Sequence, residues 1–215
     1  MVTSREPGAE PPDTTSLGVL RQAARECRGC GLYRDATATV FGAGGARAEI
    51  FAVGEQPGDQ EDRRGEPFVG PAGQLLDRAL GDVGLNRDCL YLTNAVKHFK
   101  FQLRGKRRIH DKPARSEVVA CRPWLVAELQ AIRPRLVLLL GATAAQSVYG
   151  SGFRLTRHRG EPLDPPDEFA GLFASAVATV HPSAVLRAPD RDAAYAEFVA
   201  DLRGLGSSDL ARGAP

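Results

Sequence analysis

The chain has 215 residues, 43% of them hydrophobic and 25% charged, with a formal net charge of +2. These values exclude a disordered or collagen-like chain, and the longest apolar run, Leu136–Leu140, is far too short to cross a bilayer. One soluble domain with a single sizeable core is expected; four cysteines without a signal-peptide pattern point to a cytoplasmic protein with a metal site or thiols ahead of disulfides.

In chain order, residues 1–15 read as a polar, flexible lead, residues 16–205 as one domain and residues 206–215 as a flexible tail. A helix is expected over Thr15–Glu26, just before Cys27-Arg28-Gly29-Cys30, a cysteine pair at metal-ligand spacing. A strand follows at Glu49–Val53. Next comes the Gly54–Gly73 stretch, with carboxylates and Phe68 among glycines and prolines; Gly widens and Pro fixes backbone choices, so such a loop can be shaped and stiff together. Helix Pro71–Val83, strand Leu90–Val96, helix Ser116–Ile132, strand Leu136–Leu140, helix Ala142–Tyr149, strand Ala174–Val180 and helix Asp190–Leu205 complete the series. This alternation predicts an α/β fold, a single three-layer α/β/α domain with a mostly parallel central sheet flanked by helices.

In such folds ligands bind beyond the carboxyl ends of the strands. Parallel strands would gather Glu55, Asn94 and His181 there: an acid, an amide and an imidazole from three separated segments. Each alone fits a structural role; together they suit catalysis or the reading of a base. All four lysines, Lys97, Lys100, Lys106 and Lys112, fall in one segment with Arg104, Arg107, Arg108 and Arg115. Read as a loop, that block is the footprint of a polyanion or a solvated face.

The segments Gly54–Gly58, Gly65–Gly73, Thr93-Asn94 and His181-Pro182-Ser183 stand in the order of the motifs of iron–sulfur uracil-DNA glycosylases of the family 4 type, which the chain resembles from Cys27 to Leu202. Gly105-Lys106-Arg107-Arg108-Ile109-His110 brings the likeness closer to the UdgX subgroup, whose members become covalently attached to the uracil-containing DNA they attack. The resemblance implies that Phe68 stacks on a flipped-out uracil, that Asn94 bonds its Watson–Crick edge and that the loop around Gln56 offers it backbone N–H groups. It implies that His181 donates toward O2 as the glycosidic bond breaks, that Glu55 and Asp59 serve the sugar cation, and that His110 replaces water as the nucleophile at C1′. Lys97, Lys106, Arg107, Arg108, Ser183 and Arg187 would hold DNA.

The resemblance further implies a [4Fe–4S] cluster on Cys27, Cys30, His98 and Cys121. Spacing alone allows zinc on the same set, and a cysteine count alone would bring in Cys89. Cys89 opens the second strand and His98 follows it, nearly a strand length apart, which sets them against sharing one cluster. The leading function is a single-turnover uracil-DNA glycosylase that ends linked to DNA through His110. A conventional turnover glycosylase and a metal-stabilised, non-catalytic nucleic-acid-binding module are the alternatives. The expected partner is uracil-containing DNA, preferably single-stranded, bound by a monomer without membrane attachment.

Overall fold

The computed structural model describes residues 7–205. Helix α1 (Leu17–Ala24) precedes β1 (Ile50–Gly54), α2 (Asp59–Arg64), α3 (Pro71–Asp82) and β2 (Leu90–Asn94). A hairpin, β3 (Phe101–Arg104) and β4 (Arg107–His110), leads to α4 (Arg115–Ile132), β5 (Leu136–Leu140), α5 (Ala142–Tyr149) and α6 (Leu155–His158). Then come β6 (Pro162–Leu163), β7 (Ser175–Thr179), α7 (Pro182–Leu186) and α8 (Arg191–Arg203).

Local chemistry sets several boundaries. Ser16 caps α1 by accepting from the Val19 N–H, and Asp190 caps α8 by accepting from that of Ala193. Pro71 opens α3, where no N–H is needed. Helix α4 stops at Arg133, in the left-handed region at φ 47°, before Pro134.

β1, β2, β5 and β7 pair in parallel in the order β2-β1-β5-β7, and β6 adds an antiparallel edge. The three layers match the sequence expectation. β1, β2 and β5 are buried at every residue because helices cover both faces, which is why they read as unbroken apolar runs. Phe51, Val53, Val137 and Leu139 pack on Leu125 and Leu129 of α4 and Ala144 of α5. The alternate residues Ile50, Ala52, Leu136 and Leu138 pack on Leu76 and Leu80 of α3 and Phe198 and Leu202 of α8. Between α1 and α4 a smaller cluster holds Leu20, Cys30, Cys121 and Trp124.

Two expectations change. In the lead, Gly8 and Ala9 are tied down: they donate from their backbone to Gly29 and Ala120, and Ala9 is buried. The basic segment is a β-hairpin turning at Gly105 (φ 59°) and Lys106, with Phe101 opposite His110. The tail at 206–215, and residues 1–6 of the lead, lie outside the described residues. Among the described residues no helix is long and apolar enough to cross a membrane.

Chain order leaves β1 for the edge strand β2 and returns to β5 on its other side, so the sheet switches direction between β1 and β5. A crevice is expected at such a switch point, here between Glu55, which follows β1, and Thr143, at the start of α5.

Candidate active site

The Gly54–Gly73 stretch is stiffened by two buried carboxylates. Glu61 accepts from the N–H groups of Gly58 (3.1 Å) and Gly70 (2.7 Å), joining its two halves. Asp62 accepts from the N–H groups of Thr37 and Ala38, fixing it to the segment before β1. Phe68 sits at φ 57°, a conformation a bulky residue adopts only when its surroundings impose it. Arg87 imposes it, donating to the carbonyls of Pro67 and Phe68 while paired with Asp77. The buried Phe68 ring lies within 25° of parallel to that of His181, centres 6.3 Å apart.

Gly54 lets Phe68 and Asn94 approach each other. A Cβ there would stand 2.3 Å from Asn94 Oδ1 and 2.7 Å from Phe68 Cζ. Gly54→Ala is therefore expected to force Phe68 and Asn94 apart while secondary structure stays intact by circular dichroism.

Asn94 ends β2 and is held from behind. The carbonyl of Asn94 accepts from Lys97 Nζ (2.9 Å), whose ammonium also meets Thr93 Oγ1 (2.6 Å) and Glu128 Oε2 (2.5 Å). Lys97 and Glu128 are wholly buried. Lys97 is thus corrected from a DNA contact to an internal strut: enclosed and paired, it cannot reach a phosphate.

Across the switch point, Thr143 Oγ1 donates to Glu55 Oε2, and Glu55 Oε1 stands 3.5 Å from His110 Nε2. Thr143 carries no charge and belongs to no motif, so only its place at the head of α5 marks it. His181 Nδ1 accepts from the Ser183 N–H (3.2 Å) and lies 2.8 Å from its hydroxyl. An Nδ1 that accepts leaves the ring proton on Nε2. Burial, with the charges of His110 and Arg187 added, pushes the His181 pKa down to about 4. Near neutral pH it is an uncharged imidazole with one N–H to donate.

The hairpin carrying His110 is fastened to the same loop. Gln56 Nε2 donates to the carbonyls of Lys100 (3.1 Å) and Asp111 (3.0 Å), and its Oε1 accepts from the Lys100 N–H (3.2 Å). The side chain of Gln56 is therefore spent on the hairpin, not on a base. Arg108 pairs with Asp59 (2.5 Å) and Asp62 (2.6 Å), its guanidinium over the rings of Phe99 and Phe101. This corrects Arg108 from a phosphate contact to an anchor. Asp59 is engaged by this anchor as well: a hydrogen bond from Arg63, opposed by burial and reinforced by Arg108, holds its carboxyl below its ordinary range. Asp111 turns its carboxylate to Gln102 (3.2 Å), leaving Glu55 as the carboxylate beside the His110 ring. Ser183 is occupied by His181, whereas Lys106, Arg107 and Arg187 are exposed.

Of the sequence-predicted metal ligands, Cys30 and Cys121 lie in the cluster between α1 and α4 and Cys27 packs against it, whereas His98 is not part of it. Burial pushes the Cys121 thiol up to about 12; Lys97 opposes this, and the nearby Cys30 and Cys27 add to it. N–H donors reach two of the sulfurs, Lys97 N to Cys121 (3.2 Å) and Trp124 Nε1 to Cys27 (3.1 Å). His98 is buried, lines a cavity of about 160 Å³ with Cys27, and has Nε2 2.9 Å from Thr39 Oγ1. Cys89 is exposed at the opposite end of β2. Among the described residues, no three His, Cys, Asp or Glu groups are drawn together as around a single metal ion.

Residues 41–203 match the model of the Uracil DNA glycosylase superfamily. The chain is 35% identical over 195 residues to the type-4 uracil-DNA glycosylase of Archaeoglobus fulgidus, an alignment covering 89% of this chain and 92% of that protein. It is 34% identical over 192 residues to the type-4 enzyme of Pyrobaculum aerophilum, with 86% and 91% covered. To that of Thermotoga maritima it is 35% identical over 172 residues, with 80% and 83% covered.

Proposed function

Because the chain belongs to the uracil DNA glycosylase superfamily, we propose that it excises uracil from DNA and then bonds the deoxyribose through His110. The observation that carries this reading is the convergence of Glu55, His110 and His181 at the switch point, beside Phe68 and Asn94. Phe68 offers a face for an extruded base, and the Asn94 amide has a donor and an acceptor for O4 and N3–H of uracil. As C1′–N1 breaks, the electron pair passes to the departing uracil, and the Nε2–H of His181 stabilises its charge in a water-poor pocket. Glu55, held by Thr143, stabilises the sugar cation. The lone pair on the unprotonated Nε2 of neutral His110 bonds C1′, and the imidazolium so formed loses its Nδ1 proton through water to the uracil anion, so atoms and charge balance.

Lys106, Arg107 and Arg187 supply the phosphate contacts in this reading, and binding should weaken with salt. A single-stranded oligonucleotide with one uracil is the test: free uracil should appear, and a protein–DNA band should survive denaturation. Alkali-labile abasic DNA in excess of enzyme, without the band, would replace the reading by conventional turnover, which the type-4 relatives fit equally. Salt-sensitive DNA binding with no uracil released would leave a binding module.

A [4Fe–4S] cluster on Cys27, Cys30, His98 and Cys121 belongs to the same proposal. Thiols gathered in one cluster and N–H donors aimed at sulfur suit thiolates that carry iron. When bound, the cluster would cross-link the end of α1, the segment after β2 and α4. Iron, sulfide and broad visible absorption are expected in the purified protein, lost in His98→Ala and kept in Cys89→Ala. Colourless protein with stoichiometric zinc would overturn the assignment.

A further inference from the structure

A cavity of about 510 Å³ lies between the start of α4 and the length of α5. Thr143, whose hydroxyl holds Glu55, lines it at the head of α5, and Tyr149 lines it at that helix's far end. Val118, Val119, Val148 and Pro166 supply apolar walls, and Val119 is 57% exposed.

Most polar groups along the walls are already spent. Ser147 Oγ donates to Ala144 (2.7 Å), Gln146 to Phe153 (3.2 Å) and the Tyr149 hydroxyl to Asp164 (2.9 Å). Arg122 is paired with Glu168. Two cations are left over: among the described residues neither Lys112 nor Arg115 makes an ion pair, and both are exposed. Lys112 is two residues beyond His110. An apolar cavity with unspent cations suits a flat, weakly polar group joined to an anion, which is what a nucleotide is.

Resting on the glycosylase reading above, we propose that this cavity is a subsite for the nucleotide next to the extruded uridine. Its base enters among Val119, Val148 and Tyr149, and its phosphate meets Lys112 and Arg115. A base so enclosed cannot pair with a complementary strand. The subsite therefore selects single-stranded DNA, and does so away from the uracil pocket itself.

The test uses the full protein and short single strands carrying one uracil, in which the neighbouring nucleotide on the 5′ or the 3′ side is replaced by a baseless spacer. The half-saturating concentration for uracil release is measured for each. A spacer on one side, and not on the other, should weaken binding about tenfold. Val119→Glu should erase that difference while the rate at saturation stays unchanged; α4 is exposed at this residue, so the fold is not at risk. Lys112→Ala with Arg115→Ala should weaken all substrates and flatten the salt dependence. Equal binding of all substrates by the unaltered protein, or full discrimination by Val119→Glu, would overturn the subsite. No uracil release from any strand would instead overturn the glycosylase reading, and the subsite with it.

Discussion

Replacing His110 by Gly should abolish the denaturation-resistant DNA band completely while uracil release continues and passes one equivalent per enzyme. The His110 ring stands 3.5 Å from Glu55, which Thr143 holds in place from the other side. Removing the ring leaves the carboxylate, the His181 donor and the Phe68–Asn94 wall where they were. Water would then fill the vacated space beside Glu55 and take the sugar cation. A well-oriented neighbouring group can act at effective concentrations of about 10⁵–10⁸ M, far above that of liquid water, so in the unaltered protein the imidazole should win nearly every turnover. The outcome is read by gel shift after denaturation and by counting uracil against enzyme. A persistent band in His110→Gly would place the nucleophile elsewhere and sink the covalent mechanism as drawn.

The second large effect is on stability. Lys97→Met should cost about 3–5 kcal/mol, the range for removing one partner of a buried ion pair. The reason is what stays behind. Glu128 also accepts from the Gly42 N–H (2.9 Å), the Tyr91 hydroxyl (3.1 Å) and the Thr93 hydroxyl, all of them neutral donors. Without the ammonium a buried carboxylate would be left with those alone. Urea titration should show the loss as a lower midpoint with an unchanged slope. A companion Glu128→Leu change should not restore stability, because it orphans three further buried donors. Since the same ammonium holds the Asn94 carbonyl, the variant should also bind uracil-containing DNA more weakly at temperatures where it is still folded. A loss below 1 kcal/mol would mean that the pair is not buried as described.

How these residues read in the sequence follows from how far away their partners lie. The strands were legible because burial on both faces leaves unbroken apolar runs, as in Leu136–Leu140. The placement of Glu55, Asn94 and His181 at one rim was legible because the strands they end or follow are parallel. Lys97 was misread because it stands in a basic segment, and its partner Glu128 lies 31 residues away on α4. Arg108 was misread for the same reason, its acids being 46 and 49 residues distant. Charge says that a partner exists; only the fold says whether it is a phosphate or a carboxylate of the same chain. The hairpin escaped notice because its strands, Phe101–Arg104 and Arg107–His110, are only four residues each, too short for their alternation to stand out from a basic segment. Thr143 gave no signal at all, since one hydroxyl after a glycine turn looks like any helix start.

The hairpin closes on itself: the Asp111 N–H donates to the Lys100 carbonyl at 3.0 Å, and Gln56 seats both ends. Everything from Phe101 to His110 is thus an excursion from a point where the chain meets itself, and its strands pair only with each other. Such a segment is a cassette. Its presence adds no strand to the central sheet, whose register is set without it. On the reading proposed above, base recognition and the fate of the sugar would rest on different pieces of chain.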